Sequence, residues 1–311
     1  TVEDYGYAPP TPTKENYTFA GWTPARIPSN SNGAVSFTAK WTANELGAIT
    51  YNLDGGMLTG QKVSYTAEDY GYAPPEPTKP GYTFAGWDPE TLPSDSTGEI
   101  TFKAKWNVIT ATLLDGKSIN VKMKKLAGNS SASYISNDTA ITAIRHSDEA
   151  PVAAVLEDSN SLISTSDSEK PVYAWFDNGT IKIWSEAGKI EAGTDLSFLC
   201  YSMKSLTDIS GLSSWDTGAV TRMDAMFENC YSLTDLSELT SWDTGAVTRM
   251  DAMFSDCSEL TDLSALANWD TGAVTSINSM FYYCSKLTDL SALANWDTGA
   301  VTRMDYMFFG C

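Results

Sequence analysis

The residues of this chain most able to do chemistry are repeated acids. The tripeptide Asp-Thr-Gly occurs four times, beginning at Asp216, Asp243, Asp270 and Asp297. Aspartic proteases use paired carboxylates that share one proton, which requires two such loops to face each other. Here the four copies recur at a constant spacing, so they would point the same way, within a repeat too short for a protease lobe. The spacing predicts a structural turn.

A second set of acids follows the leucines of the same repeat. Its members are Asp208, Asp235, Asp262 and Asp289. Carboxylates stacked about 5 Å apart could recruit Ca²⁺, which takes several oxygen ligands. The spaced Asp-x-Asp loops of calcium motifs are missing, so a solvated acidic stripe is the ordinary interpretation. We expect no metal and no cofactor.

The cysteines follow the same period. Cys230, Cys257, Cys284 and Cys311 recur at this constant spacing, whereas Cys200 lies out of register with them. No Cys-x-x-Cys spacing supports zinc, so a column of buried free thiols is predicted. His146 is the only histidine and cannot build a metal cluster alone. No phosphate loop or dinucleotide fingerprint occurs, and we expect no catalytic site.

These residues belong to one 27-residue block, written four times from Leu206 to Cys311. A strict period of this length with leucines at fixed positions marks a leucine-rich-repeat solenoid. Leu-Thr-Asp-Leu-Ser alternates apolar and polar residues, which predicts a short strand. The spacing of Val247, Met250 and Met253 predicts a short helix or a single helical turn. Each block would bury its apolar face against the next.

Two features of the blocks suggest a binding face. The predicted strand column would present threonines and acids to solvent: Thr207, Asp208, Thr234, Asp235, Thr261, Asp262, Thr288 and Asp289. Tyr282, Tyr283 and Tyr306 break the repeat consensus, and exposed aromatic residues are frequent hot spots of binding. The alternative is a structural spacer that presents another domain, because the blocks are nearly identical.

The front third of the chain contains two copies of a 65-residue module. Thr1-Val-Glu-Asp-Tyr5 reappears as Thr66-Ala-Glu-Asp-Tyr70, and the first copy has no counterpart of residues 49–64. Strands are predicted at residues 49–53, 82–87 and 100–106. The predicted aromatic core consists of Tyr82, Phe84, Trp87, Phe102 and Trp106.

Motifs in both parts resemble known families. Gly55-Gly56, the Gly-Tyr-Thr-Phe-Ala-Gly-Trp run ending at Trp87 and the Lys-Trp ending at Trp106 resemble the Listeria–Bacteroides repeat, of the internalin B-repeat type. Met253-Phe-Ser-Asp-Cys257 with the following Leu-Thr-Asp-Leu-Ser is similar to the BspA-like class of leucine-rich repeats. The resemblance implies β-grasp-like stalk modules and a secreted, wall-attached bacterial protein that acts in adhesion or host contact.

The middle of the chain shows no internal repeat. Residues 110–123 are predicted to form a hairpin turning at Asp115-Gly116, and residues 172–184 a second one turning at Asp177-Asn178-Gly179. Residues 159–168 are rich in serine and predict an exposed loop. Our hypothesis is that this region caps the first block with a set of apolar residues, namely Tyr173, Trp175, Ile181 and Ile183.

The 311 residues carry a net charge of −19, which disfavours nucleic acid and anionic lipid as partners. No long apolar run or signal peptide is present, and both ends look cut, so we expect a fragment of a larger protein. The predicted fold is mainly β or mixed α+β, elongated and multidomain. Its parts are a partial β-grasp-like repeat (1–41), a complete one (49–106), a β-rich adaptor or cap (107–200) and the solenoid (201–311).

The function predicted from these features is that of a non-enzymatic cell-surface binding protein. Its partner would be a host or microbial extracellular protein or glycan, contacted through the solenoid. We expect a monomer that does not insert into a membrane.

Overall fold

The computed structural model describes residues 2–311, which form two compact units divided between Asn107 and Val108. Over this range the chain is rich in strands and has two α-helices. The strands that begin in the front unit are β1 (Tyr17–Thr23), β2 (Thr38–Ala43), β3 (Glu45–Asn52), β4 (Ser64–Thr66), β5 (Tyr82–Asp88) and β6 (Ile100–Val108). Those of the rear unit are β7 (Thr110–Thr112), β8 (Ala143–His146), β9 (Val172–Asp177), β10 (Thr180–Ser185), β11 (Lys189–Glu191) and β12 (Trp215–Asp216).

The helices of the rear unit are short. They are α1 (Gly116–Leu126) and α2 (Ala153–Glu157). The 3₁₀ turns are Val2–Asp4, Ala67–Asp69, Ser210–Leu212, Ser237–Leu239, Ser264–Leu266 and Ser291–Leu293. In the described part of the chain, no helix has the length and apolar character needed to cross a membrane.

The second copy of the front module is a four-stranded sheet in the order β4-β3-β6-β5. β3 runs parallel to β6 and antiparallel to β4, so all three predicted strands are confirmed. The buried core consists of Ile49, Tyr65, Trp87, Leu92 and Phe102. Of the predicted core, Trp87 and Phe102 are buried, whereas Tyr82, Phe84 and Trp106 are only half-buried. The Lys79 ammonium lies 4.2 Å from the Tyr82 ring centroid, which keeps this ring at the rim.

The first copy of the module is smaller. The sheet of its described residues is the antiparallel pair β1–β2, and none of residues 3–44 is buried. Phe19 packs edge-on against Trp22 and Trp41, with ring centroids 5.4 and 5.6 Å apart. The difference follows from the sequence, because β3 and β4 of the second copy come from the segment that has no counterpart in the first.

The predicted hairpin at residues 110–123 is wrong. After β7 the chain enters α1, and the Asp115 carboxylate caps this helix by accepting a hydrogen bond from the Ser118 N–H at 2.9 Å. An aspartate before a glycine suits a helix N-cap as well as a turn. Ile119 and Met123, four residues apart, are buried on one face of the helix, and this burial decides in favour of the helix.

The second predicted hairpin is confirmed. β9 and β10 pair antiparallel, and the turn places Asn178 at φ 47° and Gly179 at φ 87°, as a type I′ turn requires. Ala174 faces Ile183 across the pair on the buried side. Tyr173 and Trp175 alternate to the other side and are half-buried, so only Ile181 and Ile183 of the four predicted capping residues are fully buried.

The predicted exposed loop at residues 159–168 is in part a packed segment. Ser161, Ile163 and Ser164 are buried. The Ser164 hydroxyl accepts a hydrogen bond from the Val172 N–H at 3.0 Å, and the Ser168 hydroxyl donates one to the Thr112 carbonyl at 2.9 Å. The hydroxyls of Ser164 and Ser168 thus hold this segment against the backbone at Val172 and Thr112.

Successive blocks hydrogen bond to one another at equivalent positions. The Thr248 N–H donates to the Thr221 carbonyl at 2.9 Å, and the Thr275 N–H donates to that of Thr248 at 2.8 Å. Parallel single-residue bridges join equivalent positions at Arg222, Arg249, Ser276 and Arg303. One continuous apolar core runs through the rear unit from Ala111 to Met307.

The predicted strand and the predicted helix within each block are both wrong. The segment predicted to be a helix makes the bridges between blocks, and the segment predicted to be a strand leads into a 3₁₀ turn. Residues 247–254 are not helical: the N–H groups of Met250 and Ala252 donate to carbonyls of the following block. Ala252 has φ 54°, which no α-helix permits. The Leu-Thr-Asp segment instead leads into a 3₁₀ turn, because the Asp235 carboxylate accepts its own downstream Ser237 N–H at 2.8 Å. Such local bonds compete with strand pairing.

The segment before the first block belongs to the same core. β11 pairs in parallel with β7 on one side and β12 on the other, and Asp195 bridges to Arg222. The Ile144 N–H donates to the Asp208 carbonyl at 2.8 Å. Residues 108–200 therefore lie against the first block, and residues 189–200 act as a divergent block ahead of it.

Candidate functional site

The four Asp-Thr-Gly tripeptides form turns, as predicted. The Asp243 carboxylate accepts the Gly245 N–H at 3.0 Å, and the buried Thr244 hydroxyl donates to the Asp270 carbonyl of the next block at 2.9 Å. A hydrogen bond from Lys189 lowers the pKa of Asp216. This carboxyl group is therefore ionised, whereas one member of a proton-sharing pair would have a raised pKa. The tripeptides tie neighbouring blocks together.

The acids of the Leu-Thr-Asp segments are mainly turn formers. Asp235, Asp262 and Asp289 each accept a hydrogen bond from the serine N–H two residues later at 2.8 Å. The backbone hydrogen bond from Ser237, followed by the one from its side chain, lowers the pKa of Asp235. Asp208 accepts the corresponding bond and pairs with Arg145 at 2.7 Å.

The same acids line two shallow grooves. One groove, of about 400 Å³, contains Thr234, Asp235 and Asp262, and a second, of about 410 Å³, contains Thr261, Asp262 and Asp289. Asp208 and Thr288 lie outside both linings. Among residues 2–311, no group of three or more His, Cys, Asp or Glu side chains is arranged to hold a metal ion.

The predicted tyrosines come together with one residue that the sequence did not single out. Tyr282 packs edge-on against Tyr283 at 4.6 Å and stacks on Phe309 at 5.3 Å, and Tyr306 meets Phe309 at 6.1 Å. The aromatic cluster is defined here as Tyr282, Tyr283, Tyr306 and Phe309. Tyr306 is 65% exposed and Phe309 50%. Neither acidic groove includes any member of the cluster.

The backbone explains why these rings are exposed. Tyr283 and Tyr306 have φ values of 53° and 57°, so each side chain projects from a tight turn. The Tyr283 N–H donates to the Phe309 carbonyl at 2.7 Å, which keeps the turns of successive blocks aligned. Phe309 could have been found from the sequence, because it occupies in the last block the position that Tyr282 occupies in the block before.

The two positions before the cysteine of each block form a variable edge of the stack. This edge is defined by residues 228–229, 255–256, 282–283 and 309–310. Main-chain hydrogen bonds join these pairs in order. The edge carries acids in the earlier blocks and aromatic residues in the later ones. Burial, with a smaller effect of Asp256, raises the pKa of Glu228 to about 7. The blocks thus differ from one another on this edge.

The arginines form ion pairs both within and between blocks. Arg249 lies 2.7 Å from Asp251 of its own block and 3.4 Å from Asp224 of the block before. Asp224 is 8% exposed at its side chain and accepts the Asp251 N–H at 3.1 Å. These acids hold the stack together and leave little surface for a ligand.

The thiols form the predicted buried column. Cys200, Cys230, Cys257 and Cys284 are free and buried, and Cys311 is free and exposed. The Cys257 thiol donates to the Phe227 carbonyl at 3.3 Å, and the Cys284 thiol donates to the Phe254 carbonyl at 3.1 Å. Burial raises the pKa of Cys230 to about 12, so the thiol form is the stable one.

Comparison with protein families assigns a different match to each part of the chain. Residues 3–45 and 48–114 match the Listeria-Bacteroides repeat domain. Residues 194–311 match a family described as Mycoplasma protein of unknown function, DUF285. The first match confirms the resemblance of the front modules. The BspA-like assignment of the blocks stays a prediction.

Among curated proteins, the chain is similar to Internalin H of Listeria monocytogenes serovar 1/2a. The two are 38% identical over 91 residues, which cover 25% of this chain and 15% of Internalin H. The chain therefore spans a small part of that relative's length. No solved structure matches it. Together the repeat domain and this relative support a bacterial surface protein whose front part carries Listeria–Bacteroides repeats.

Proposed function

We propose that the chain is a non-enzymatic binding part of a wall-attached bacterial surface protein. In this proposal the stacked blocks are a leucine-rich-repeat solenoid of the BspA-like class, and the front modules are β-grasp-like stalk units. The partner is a host or microbial extracellular protein or glycan, bound by a monomer. The similarity of the chain to Internalin H and to Listeria–Bacteroides repeats supports a role at the cell surface.

One observation carries the binding role. The aromatic cluster places large, exposed rings side by side at positions where the other blocks carry smaller or acidic residues. Clustered tyrosines and phenylalanines supply much contact area at a low cost in side-chain entropy, and they are typical anchors of protein and sugar recognition. The binding site in this proposal is therefore centred on the cluster, with the acidic grooves in a secondary role.

The acids are a weaker candidate than the sequence suggested, because their carboxylates already accept backbone hydrogen bonds. Replacing Asp235, Asp262 and Asp289 by serine would also disturb the turns that these bonds form. A loss of binding in such a variant would therefore not identify the contact surface, and the aromatic residues make a cleaner test.

The experiment is an array of host extracellular proteins and glycans, probed with the full chain at physiological salt. Tyr306→Ser should weaken any saturable interaction by about tenfold or more, as expected for an aromatic hot spot. Tyr7→Ser is the matched control, since Tyr7 is 53% exposed in the front unit. Binding that survives Tyr306→Ser unchanged would move the site away from the cluster.

A structural spacer is the second candidate, and the near identity of the blocks favours it. Turn-forming acids and interblock threonines account for most of the repeated polar residues without any ligand. An array without a saturable signal would support the spacer, with the binding function located in another part of the full-length protein.

A further inference from the structure

A groove on the rear unit stands apart from the acidic character of the chain. Its volume is about 510 Å³, and α1 forms one wall. Three lysines line it, Lys117, Lys122 and Lys125, together with Tyr134 and Asn160. It is called the lysine groove below. The chain has 20 basic residues and 39 acids, so three lysines around one groove without an acid in its lining are an unusual concentration.

The helix supplies the charge and no counter-charge. The sequence of α1 contains four lysines and neither Asp nor Glu. Lys124 faces the interior and donates to the carbonyls of Tyr134, Ser136 and Tyr201 at 2.6 to 2.9 Å. The other three lysines face the groove, at the helix positions where polar residues meet solvent.

These groove lysines have no ion-pair partner. Within the described residues, no carboxylate oxygen lies within 4.0 Å of the ammonium group of Lys117, Lys122 or Lys125. Elsewhere in the same unit, Lys170 and Lys182 have carboxylates at 2.6 and 2.7 Å. The groove therefore carries an excess of positive charge in a strongly negative protein.

The charge of Lys125 destabilises that of the half-buried Lys122. Lys122 donates to the Ser159 carbonyl at 2.5 Å, which satisfies one N–H and leaves the charge unbalanced. Burial first, and then the neighbouring charge of Lys125, lower the pKa of Lys122, while Asp158, which accepts a hydrogen bond from the Asn160 side chain at 3.1 Å, acts in the opposite direction. An anion placed between the ammonium groups would compensate this unfavourable like charge.

The ligand must be small. A net charge of −19 repels an extended polyanion over the rest of the surface, but a single anionic group can sit between the lysines. A groove of about 510 Å³ has the size of a site for a small molecule. Tyr134 and Val121 supply apolar surface, and Asn160 and Ser133 supply polar groups in the same lining. This mixture suits a hydroxylated ring that bears one charge.

We propose that the lysine groove binds an acidic sugar, meaning a saccharide ring that carries one carboxylate or sulfate group. Lys122 and Lys125 hold the anionic group by charge-assisted hydrogen bonds, Lys117 closes the rim, and the ring packs along Tyr134 and Val121. The groove shares no residue with the aromatic cluster. The test of this proposal is therefore independent of the test of the proposed function.

The test is calorimetric titration of the full chain with glucuronic acid, glucose 6-sulfate, glucose, inorganic sulfate and a glutamate-rich peptide. We expect saturable binding of at least one acidic sugar, weakened by added salt, and none of glucose. The double variant Lys122→Gln/Lys125→Gln should weaken that binding about tenfold or more, because two charge-assisted hydrogen bonds are lost. The double variant Lys40→Gln/Lys103→Gln is the matched control.

The control removes the same charge from two exposed lysines of the front unit and should leave the dissociation constant within about twofold. The arms with carboxylate and sulfate identify which acidic sugar the groove takes. Equal binding of glucose, inorganic sulfate binding as tightly as the sugar, binding of the peptide alone, or no binding at all would overturn the proposal. If thermal melts show that the groove variant unfolds, the same titration is made with Lys117→Gln at the exposed rim, which should also weaken binding of the acidic sugar. Unchanged binding by that variant would then overturn the proposal.

Discussion

The two units both repeat a sequence, but they bury the repeated residues differently. In the front unit, Phe102 is fully buried against Tyr51 and Trp87 of its own copy, with ring centroids 5.9 and 6.1 Å apart. In the rear unit, Phe254 stacks between the equivalent phenylalanines of the blocks before and after it, at 5.6 and 5.7 Å. The front module completes its own core, whereas each block shares its core with its neighbours.

This difference determines where each unit can vary. In a stack, stability is approximately a sum of terms between neighbours, so residues that face the next block must match their equivalents there. The side chains of the variable edge are less constrained, because the main chain makes the interblock hydrogen bonds there. A new exposed aromatic residue such as Tyr283 therefore arises on this edge without loss of the stack.

The largest expected effect comes from truncating the shared core. Phe254→Ala should reduce the free energy of unfolding of the rear unit by about 3–5 kcal/mol, because a fully buried ring is lost. Hydrogen exchange should then speed up at amides on both sides of the cavity, including Thr248 and Thr275, which bond between blocks. Acceleration confined to one block would contradict the shared core.

The matching change in the front unit is Phe102→Ala. It should cost a similar amount, about 3–5 kcal/mol, and expose amides within residues 46–104, which contain the core of that copy. Phe37→Ala, at the equivalent position of the first copy, should cost much less, since Phe37 is only half-buried. Equal losses for Phe37→Ala and Phe102→Ala would remove the distinction between the two copies.

A smaller effect is expected from a single interblock hydrogen bond. Thr244→Val keeps the shape of the side chain but leaves the Asp270 carbonyl of the next block without this donor, at a cost of about 1–2 kcal/mol. Thr240→Val is the control, because the Thr240 hydroxyl is exposed and bonds only to Ser237 of its own block. Chemical denaturation of both variants measures the difference, and similar losses would contradict a special role for the interblock bond.

The smallest effect concerns pH. Since the pKa of Glu228 rises from 4.5 to about 7 on folding, the folded state binds more protons between these values, and stability falls as pH rises through this window. The Glu228→Gln variant lacks this loss, so it should match the parent near pH 4 and melt higher near pH 8. Partial exposure limits the gain to about 1 kcal/mol. Glu238→Gln, which removes the same charge, should not produce the crossover.

The sequence predicted features that depend on local geometry. The repeat period is visible directly in the recurring residues. The turns at Asn178-Gly179 and at the Asp-Thr-Gly tripeptides were predictable because glycine and aspartate strongly favour turns at such positions. The strands of the second module followed from alternating aromatic residues. The buried thiols followed from a regular spacing that lacked any metal-binding motif.

The errors arose where one pattern fits two structures. Steps of three and four residues, as in Val247, Met250 and Met253, satisfy a helix, but they also satisfy tight turns that return a side chain to the same core. Asp115 before a glycine fits a hairpin turn and a helix cap equally well, and only the burial of Ile119 and Met123 separates them. The acidic ligand face stays a prediction, and a sequence does not show that Asp235 already accepts the Ser237 N–H.

The interblock hydrogen bonds have a consequence for the gene as well as for the protein. Every block offers its neighbour the same donors and acceptors, such as the Thr221, Thr248 and Thr275 series. Loss or duplication of one whole block by recombination would rejoin two surfaces that already fit, so the rest of the stack would refold around an unchanged junction. Chain length in this region can therefore change in steps of one block, and each step brings a new combination of residues to the variable edge.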